Sequence, residues 1–74
     1  MATRQDLINA TAGVLDVDPT KLNLSTPLID QGLDSLRLIA LIEELRAQDI
    51  EVDFFEVSSL PALEQWFLAL GLED

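Results

Sequence analysis

The stretch from Asp34 to Gln48 constrains the fold of this 74-residue chain more than any other segment. It is rich in the strong helix formers Leu, Ala, Glu and Arg. At about 100° per residue, several of its apolar side chains fall within an arc of roughly 100°, which is a normal core-facing stripe. These residues are Leu38, Leu41, Ile42 and Leu45. We predict a helix that begins at Asp34 or Ser35 and ends near Gln48.

A first helix and a long loop precede this segment. Thr3 is a suitable N-cap residue, and the helix is expected to end near Asp16. Its core-facing positions are Leu7, Ile8, Thr11, Val14 and Leu15. Residues 16–33 contain many residues that favour turns, so they are expected to form a long loop. Its apolar side chains are expected to pin it to the core: Leu22, Leu24, Leu28, Ile29 and Leu33.

Two shorter helices complete the chain. Asp53–Val57 is too short for a stable isolated helix and is expected to make a turn or two against the core. Ser59-Leu60-Pro61 is typical of a helix start, because Pro is tolerated in a first helical turn. The predicted buried stripe of this last helix and its C-cap are Leu63, Trp66, Phe67, Leu70 and Gly71. We therefore predict an all-α four-helix bundle, one domain over residues 1–74, with a long first loop and a short third helix.

The amino-acid inventory excludes several classes of site. The chain has no Cys and no His, which excludes disulfides and thiolate or imidazole zinc sites. A formal net charge of −10 repels a phosphate backbone and argues against nucleic-acid binding. No apolar run reaches the roughly 18 residues that span a bilayer, so we expect a cytoplasmic protein without membrane contact. Sequons at Asn9 and Asn23 are interpreted as coincidence, because no secretion signal precedes them.

A calcium site is disfavoured by the spacing of the acidic residues. An EF-hand loop needs oxygen ligands at alternate positions, a mid-loop Gly and a closing Glu. Here Asp30 is followed two residues later by Gly32 where a ligand would stand. No metal site is predicted.

The position of Ser35, in the stretch Gly32-Leu33-Asp34-Ser35-Leu36, raises a question about its role. A Ser or Asp oxygen there can cap the following helix. A nucleophilic serine instead needs a base, which is usually a histidine, and this chain has none. The only lysine is Lys21, and the G-x-S-x-G elbow is absent. If Ser35 reacts, another enzyme must therefore supply the base and the activated group.

The predicted second helix carries an extra apolar strip beside Ser35. Leu36, Ile39 and Ala40 lie roughly 150° around the helix from the core stripe. One interpretation is that Asp53–Val57 folds over this strip and covers it. The other is a docking surface next to the serine. The two can coexist, with Ile39 and one of Phe54 or Phe55 only partly covered.

Residues 28–36, Leu-Ile-Asp-Gln-Gly-Leu-Asp-Ser-Leu, resemble the signature of acyl and peptidyl carrier proteins. The resemblance extends over the whole chain, from the first helix to the Leu-Pro start of the fourth. In that family the central serine receives 4′-phosphopantetheine from coenzyme A. The resemblance therefore implies a carrier-protein bundle with a covalent 4′-phosphopantetheine on Ser35 and no catalytic activity of its own.

Three segments look more like the aryl carrier domains of nonribosomal peptide synthesis than like fatty-acid carriers: Asp34–Leu41, Val52–Phe54 and Pro61–Phe67. A fatty-acid carrier typically has an acidic residue two positions after the serine, whereas this chain has Arg37. The likeness implies loading by an enzyme that adenylates an aryl acid. An ordinary peptidyl carrier with an aminoacyl cargo stays open as an alternative.

The resemblance also implies a set of transient partners for a monomeric carrier. A phosphopantetheinyl transferase would recognise Asp34. An adenylating enzyme and then condensation or tailoring enzymes would contact the surface formed by Leu36, Arg37, Ile39, Ala40 and Phe54. The competing hypothesis is a small acidic helical adaptor that binds one protein through the patch around Leu36 and Ile39, with Ser35 only a helix cap.

Overall fold

The computed structural model describes residues 2–72. This part of the chain contains four α-helices and two short 3-10 turns. The helices are α1 (Arg4–Leu15), α2 (Ser35–Ala47), α3 (Phe54–Val57) and α4 (Leu63–Leu70). The 3-10 turns, Pro19–Lys21 and Leu28–Gln31, lie between α1 and α2. No β-strand occurs in this part of the chain. The predicted all-α fold, with a long first loop and a short third helix, is confirmed.

The N-terminus of α1 is fixed by a reciprocal pair of hydrogen bonds. The Thr3 hydroxyl oxygen accepts from the Asp6 N–H at 3.2 Å, and the Asp6 carboxylate accepts from the Thr3 N–H at 2.9 Å. This capping box satisfies two amide groups that would otherwise lack partners. At the other end Asp16 adopts a left-handed conformation and stops the helix. The buried face differs in part from the prediction, because Ile8 and Val14 are only half-buried. The buried residues are Leu7, Thr11 and Leu15, as predicted, together with Ala10 and Ala12.

Helix α2 follows the prediction to within one residue at each end. Asp34 is its N-cap and Gln48 its C-cap. The predicted core stripe is buried at three positions, Leu41, Ile42 and Leu45. Its fourth residue, Leu38, is half-buried. The core stripe of this helix therefore follows from its 3.6-residue periodicity.

The long loop is anchored to the start of α4. Leu28 is buried, and its N–H donates to the Pro61 carbonyl oxygen at 2.7 Å. The Glu64 N–H in turn donates to the Leu24 carbonyl oxygen at 3.1 Å. Ile29, which was expected to help pin the loop, is 77% exposed. That expectation was wrong because successive side chains of a 3-10 turn point about 120° apart, so a buried Leu28 turns Ile29 outward.

Helix α4 begins later than the sequence predicts. Its N-cap is Ala62, and Pro61 lies ahead of the cap instead of inside the first turn. The carbonyl groups before the helix are already engaged in tertiary contacts, since Pro61 accepts from the loop and Leu60 accepts from the Trp66 indole N–H at 3.2 Å. The predicted end at Gly71, which has φ 66°, is confirmed.

The two ends of the described chain are joined through Arg4. Its guanidinium lies 5.2 Å from the centre of the Phe67 ring, and its Nε donates to the Leu72 carbonyl oxygen at 3.3 Å. Trp66 and Leu63 of α4 are fully buried in the same core.

None of the helices in residues 2–72 has the length and apolarity needed to cross a membrane.

We predict that Gly13→Ala stabilises the protein. Gly13 lies in the last turn of α1, and a Cβ added there meets no atom within 4 Å. Ala loses less backbone entropy on folding than Gly, so the free energy of unfolding should rise by about 0.5 to 1 kcal/mol in urea titrations followed by circular dichroism. Gly71→Ala is the matched control and should lower it, because φ 66° strains a residue with a Cβ. A loss of stability in Gly13→Ala would contradict this description of α1.

Candidate functional site

Ser35 is the first residue of α2, and its side chain is exposed. The capping role belongs to Asp34, whose Oδ1 accepts from the Arg37 N–H at 2.8 Å. Within residues 2–72 the Ser35 hydroxyl makes no hydrogen bond. The hypothesis that Ser35 serves as the helix cap is therefore wrong, because the preceding carboxylate already fills that position.

The other serines of the chain have hydroxyl groups with local partners. Ser25 donates to the Asn23 Oδ1 at 3.0 Å. Ser58 and Ser59 each donate to a backbone carbonyl oxygen three residues earlier, at 3.3 Å and 2.8 Å. Ser35 thus differs from all three in having a hydroxyl that is both exposed and uncommitted.

A largely apolar groove of about 390 Å³ runs from Ser35 between the long loop, α2 and the connection from α3 to α4. Ile29 and Asp34 also line the groove and, like Ser35, they are exposed, so these three residues are part of its open mouth. Its remaining walls are formed by Leu28, Leu33, Leu38, Val57, Ser58, Leu60, Pro61 and Trp66. The exposure of Ile29 beside the serine was missed at the sequence level. No local sequence signal indicates it, because it depends on the contact between Leu28 and Pro61.

The apolar strip of Leu36, Ile39 and Ala40 is exposed. Leu36 is 79% exposed and Ile39 46% exposed, and Ala40 is also on the surface. Helix α3 buries Val57 and does not cover the strip. The interpretation that Asp53–Val57 covers the strip is wrong, because a single turn can bury only one side.

Phe54 and Phe55 lie on the outer side of α3. Phe54 is 37% exposed and Phe55 85% exposed, and their rings meet edge to face with centroids 5.7 Å apart. They line a different cleft, together with Arg46, Ala69 and Leu70, and not the groove at Ser35. Ile39 and Phe54 are each only partly exposed, as expected, but α3 is not what covers the strip. Phe54 is nevertheless separate from the mouth of the groove.

Arg37 places a positive charge close to the serine. Its side chain is exposed, and Nη1 donates to the Gly32 carbonyl oxygen at 3.4 Å. Gly32 has φ 108°, a conformation that glycine adopts without strain, and this turn leads the loop into α2. The guanidinium therefore lies over the turn that precedes Ser35 instead of along the helix.

A family model described as "Phosphopantetheine attachment site" matches residues 5–67 of the chain. The chain belongs to this family. Its members carry 4′-phosphopantetheine covalently on a serine and are carrier proteins that tether acyl intermediates on that group. The predicted resemblance to acyl and peptidyl carriers is confirmed.

Curated relatives contain a region similar to this carrier chain. An isochorismatase of Bacillus subtilis is 33% identical over 64 residues, which cover 86% of this chain and 20% of the relative. The phenyloxazoline synthase MbtB of Mycolicibacterium paratuberculosis is 35% identical over 75 residues, which cover 99% of this chain and 6% of the relative. The pseudomonine synthase PmsE of Pseudomonas entomophila is 44% identical over 50 residues, which cover 68% of this chain and 8% of the relative. The chain thus spans a fifth or less of each. No solved structure gave a significant match.

The residues present fit a phosphopantetheine group. The Ser35 hydroxyl is exposed and free, and it lies at the N-terminus of the 13-residue helix α2. The positive end of a helix dipole favours a phosphate group there. Ser35 can accept the group without breaking a hydrogen bond of the described fold.

We predict stability effects of different size at two adjacent residues. Asp34→Ala removes the cap of α2 and should lower the free energy of unfolding by about 1 kcal/mol. Ser35→Ala removes a hydroxyl with no partner and should change it by less than about 0.5 kcal/mol. Urea unfolding of the two variants measures both values. An equal loss in Ser35→Ala would mean that the hydroxyl supports the fold.

A second pair of variants separates the apolar strip from the core of α2. Leu41 is fully buried, so Leu41→Ala should lower the free energy of unfolding by about 2 to 5 kcal/mol. Ile39→Glu changes a half-exposed side chain and should cost about 1 kcal/mol or less. The same unfolding measurement applies. If Ile39→Glu unfolds the protein, Ile39 belongs to the core.

Proposed function

We propose that Ser35 is the attachment serine and that residues 1–74 act as one carrier domain. It holds acyl groups on a 4′-phosphopantetheine arm and presents them to partner enzymes of nonribosomal peptide or related natural-product biosynthesis. The observation that supports this most is the exposed, uncommitted hydroxyl of Ser35, since the other serines of the chain are hydrogen-bonded. Monomeric state and cytoplasmic location stay predictions from the sequence.

Attachment requires a transferase, because the chain has no histidine to act as a base. The Ser35 Oγ attacks the phosphorus atom of coenzyme A that bears the pantetheine. The Oγ–P bond forms as the bond from that phosphorus to adenosine 3′,5′-bisphosphate breaks, and the hydroxyl proton passes to a base of the transferase. Asp34 contributes by holding the first turn of α2, so that Ser35 has a fixed position.

The arm, once bound, supplies a terminal thiol that holds an acyl group as a thioester. The chain itself contributes a tether and a recognition surface, and the tether raises the effective concentration of the acyl group at a partner's active site. We propose that this surface comprises Asp34, Leu36, Arg37, Ile39, Ala40 and Phe54. A small apolar patch on an acidic protein suits brief contacts with successive partners better than a large apolar interface does.

We further propose that the cargo is an aryl acid delivered by an adenylating enzyme. Arg37 supports this, because a fatty-acid partner with a basic docking face would meet a positive charge where it needs a carboxylate. One relative is a phenyloxazoline synthase, an enzyme whose name refers to a phenyl-bearing product, and this supports the same class of cargo. Condensation or tailoring enzymes would then receive the aryl group from the carrier.

The attachment is tested by incubating the protein with coenzyme A and a phosphopantetheinyl transferase and measuring the intact mass. Wild type should gain the mass of one arm. Ser35→Ala should gain none, and the control Ser58→Ala should gain one arm. A wild-type protein that stays unmodified while a control carrier is modified would favour the adaptor hypothesis.

Cargo choice is tested by offering the modified protein to three loading enzymes in parallel, specific for an aryl acid, an amino acid and a fatty acid. We expect efficient loading by the first. Arg37→Glu should shift loading toward the fatty-acid enzyme, and the shift should weaken at high salt because Arg37 is exposed. Efficient loading by the amino-acid enzyme alone would refute the aryl cargo and leave the carrier function intact.

A further inference from the structure

We infer that Gln31 is a positioning residue for modification of Ser35, and that it acts by holding Ile29 at the mouth of the groove, where the transferase contacts it. The inference rests on the proposed function of Ser35. Ile29 and Ser35 line the same groove. An isoleucine that is 77% exposed beside a reacting hydroxyl is available to any enzyme that encloses that hydroxyl.

Both the nitrogen and the oxygen of the Gln31 side-chain amide form hydrogen bonds with one segment of the loop. Nε2 donates to the carbonyl oxygens of Asn23 and Thr26, at 2.8 Å and 2.9 Å. Oε1 accepts from the Asn23 N–H at 2.9 Å. Gln31 therefore ties the 3-10 turn that carries Ile29 to residues 23–26.

Asn23 stiffens the segment that Gln31 holds. Its Oδ1 accepts from the Ser25 N–H, the Ser25 hydroxyl and the Thr26 N–H, each at 3.0 Å. This turn also explains the Asn23-Leu24-Ser25 sequence as a structural element. The partner of Gln31 is thus a rigid turn instead of a freely moving loop.

Two attachments on opposite sides fix the direction of Ile29. On the inner side, Leu28 is buried and its N–H is bonded to the Pro61 carbonyl oxygen. On the outer side, Gln31 is bonded to residues 23–26. The backbone bonds of the 3-10 turn, such as that from the Leu33 N–H to the Leu28 carbonyl oxygen at 3.0 Å, hold the turn together internally. The side-chain bonds of Gln31 add an attachment of this turn to residues 23–26, and we expect their loss to let Ile29 shift relative to Ser35.

The test measures kcat and KM of a phosphopantetheinyl transferase toward the whole protein, with coenzyme A in excess. Gln31→Glu is isosteric and replaces the donating nitrogen by an oxygen that faces two carbonyl oxygens. Gln31→Met is neutral, so an effect common to both variants is not a charge effect. Gln5→Glu is the charge control, because it adds the same charge far from the loop. Leu15, at the C-terminal end of α1, lies near Gly32, whereas Gln5 lies at the N-terminal end of that helix.

We expect both Gln31 variants to raise KM by about tenfold, which is within the range of coupling through one hydrogen-bond network, with kcat little changed. Ile29→Ala should raise KM to a similar extent. In the Ile29→Ala background the Gln31 substitutions should have no further effect on KM. Their effect on the free energy of unfolding should be the same in both backgrounds, which separates positioning from general stabilisation.

Three results overturn the inference alone, and the first two concern the KM of the Gln31 variants. Either KM is unchanged in both folded Gln31 variants, or it rises by the same factor with and without Ile29, so that Gln31 does not act through Ile29. A wild-type chain that gains no arm overturns the proposed function and this inference together. A rise in KM that Gln31→Glu shares with Gln5→Glu and that Gln31→Met lacks also overturns the inference, because charge alone then explains the effect.

Discussion

The attachment of the long loop to the start of α4 determines where the rest of the site lies. Leu28 buries its side chain in the core and donates its N–H to the Pro61 carbonyl oxygen. Because the loop leads directly into α2, this contact brings the N-terminus of α2 beside the connection between α3 and α4. The groove at Ser35 forms between these segments. Without the contact, the part of the loop between Leu24 and Asp34 would lose its backbone hydrogen bond to the start of α4.

Neighbouring residues of the turn into α2 have separate structural roles. Gly32 adopts the left-handed conformation, and Asp34 accepts the amide hydrogen bond of the cap. Ser35 is thereby left without a hydrogen-bonding role in the described fold, which suits the proposed attachment of the arm to its hydroxyl. In the proposed function, the chemistry of attachment and loading is supplied by partner enzymes. A net charge of −10 around a small apolar strip suits encounters that are fast and short-lived.

Helix periodicity and capping residues predicted α1 and α2 to within about a residue, because these signals are local. The start of α4 and the exposure of Ile29 were predicted wrongly, since both depend on the contact between Leu28 and Pro61, which are far apart in sequence. The strip on α2 was left open for a similar reason. Whether α3 covers it depends on which side of that turn is buried, and this side is Val57. The bonds of Gln31 to residues 23–26 have no periodic signature at all.

The measurement that tests this account most directly is localisation of the modification by fragmenting the transferase-treated protein in a mass spectrometer. The chain has four serines, at positions 25, 35, 58 and 59, and all lie in the part that matches the family. The account predicts that every fragment containing Ser35 carries the arm and that fragments with the other serines alone do not. An arm on Ser25, Ser58 or Ser59 would contradict it, because those hydroxyls are hydrogen-bonded within the fold.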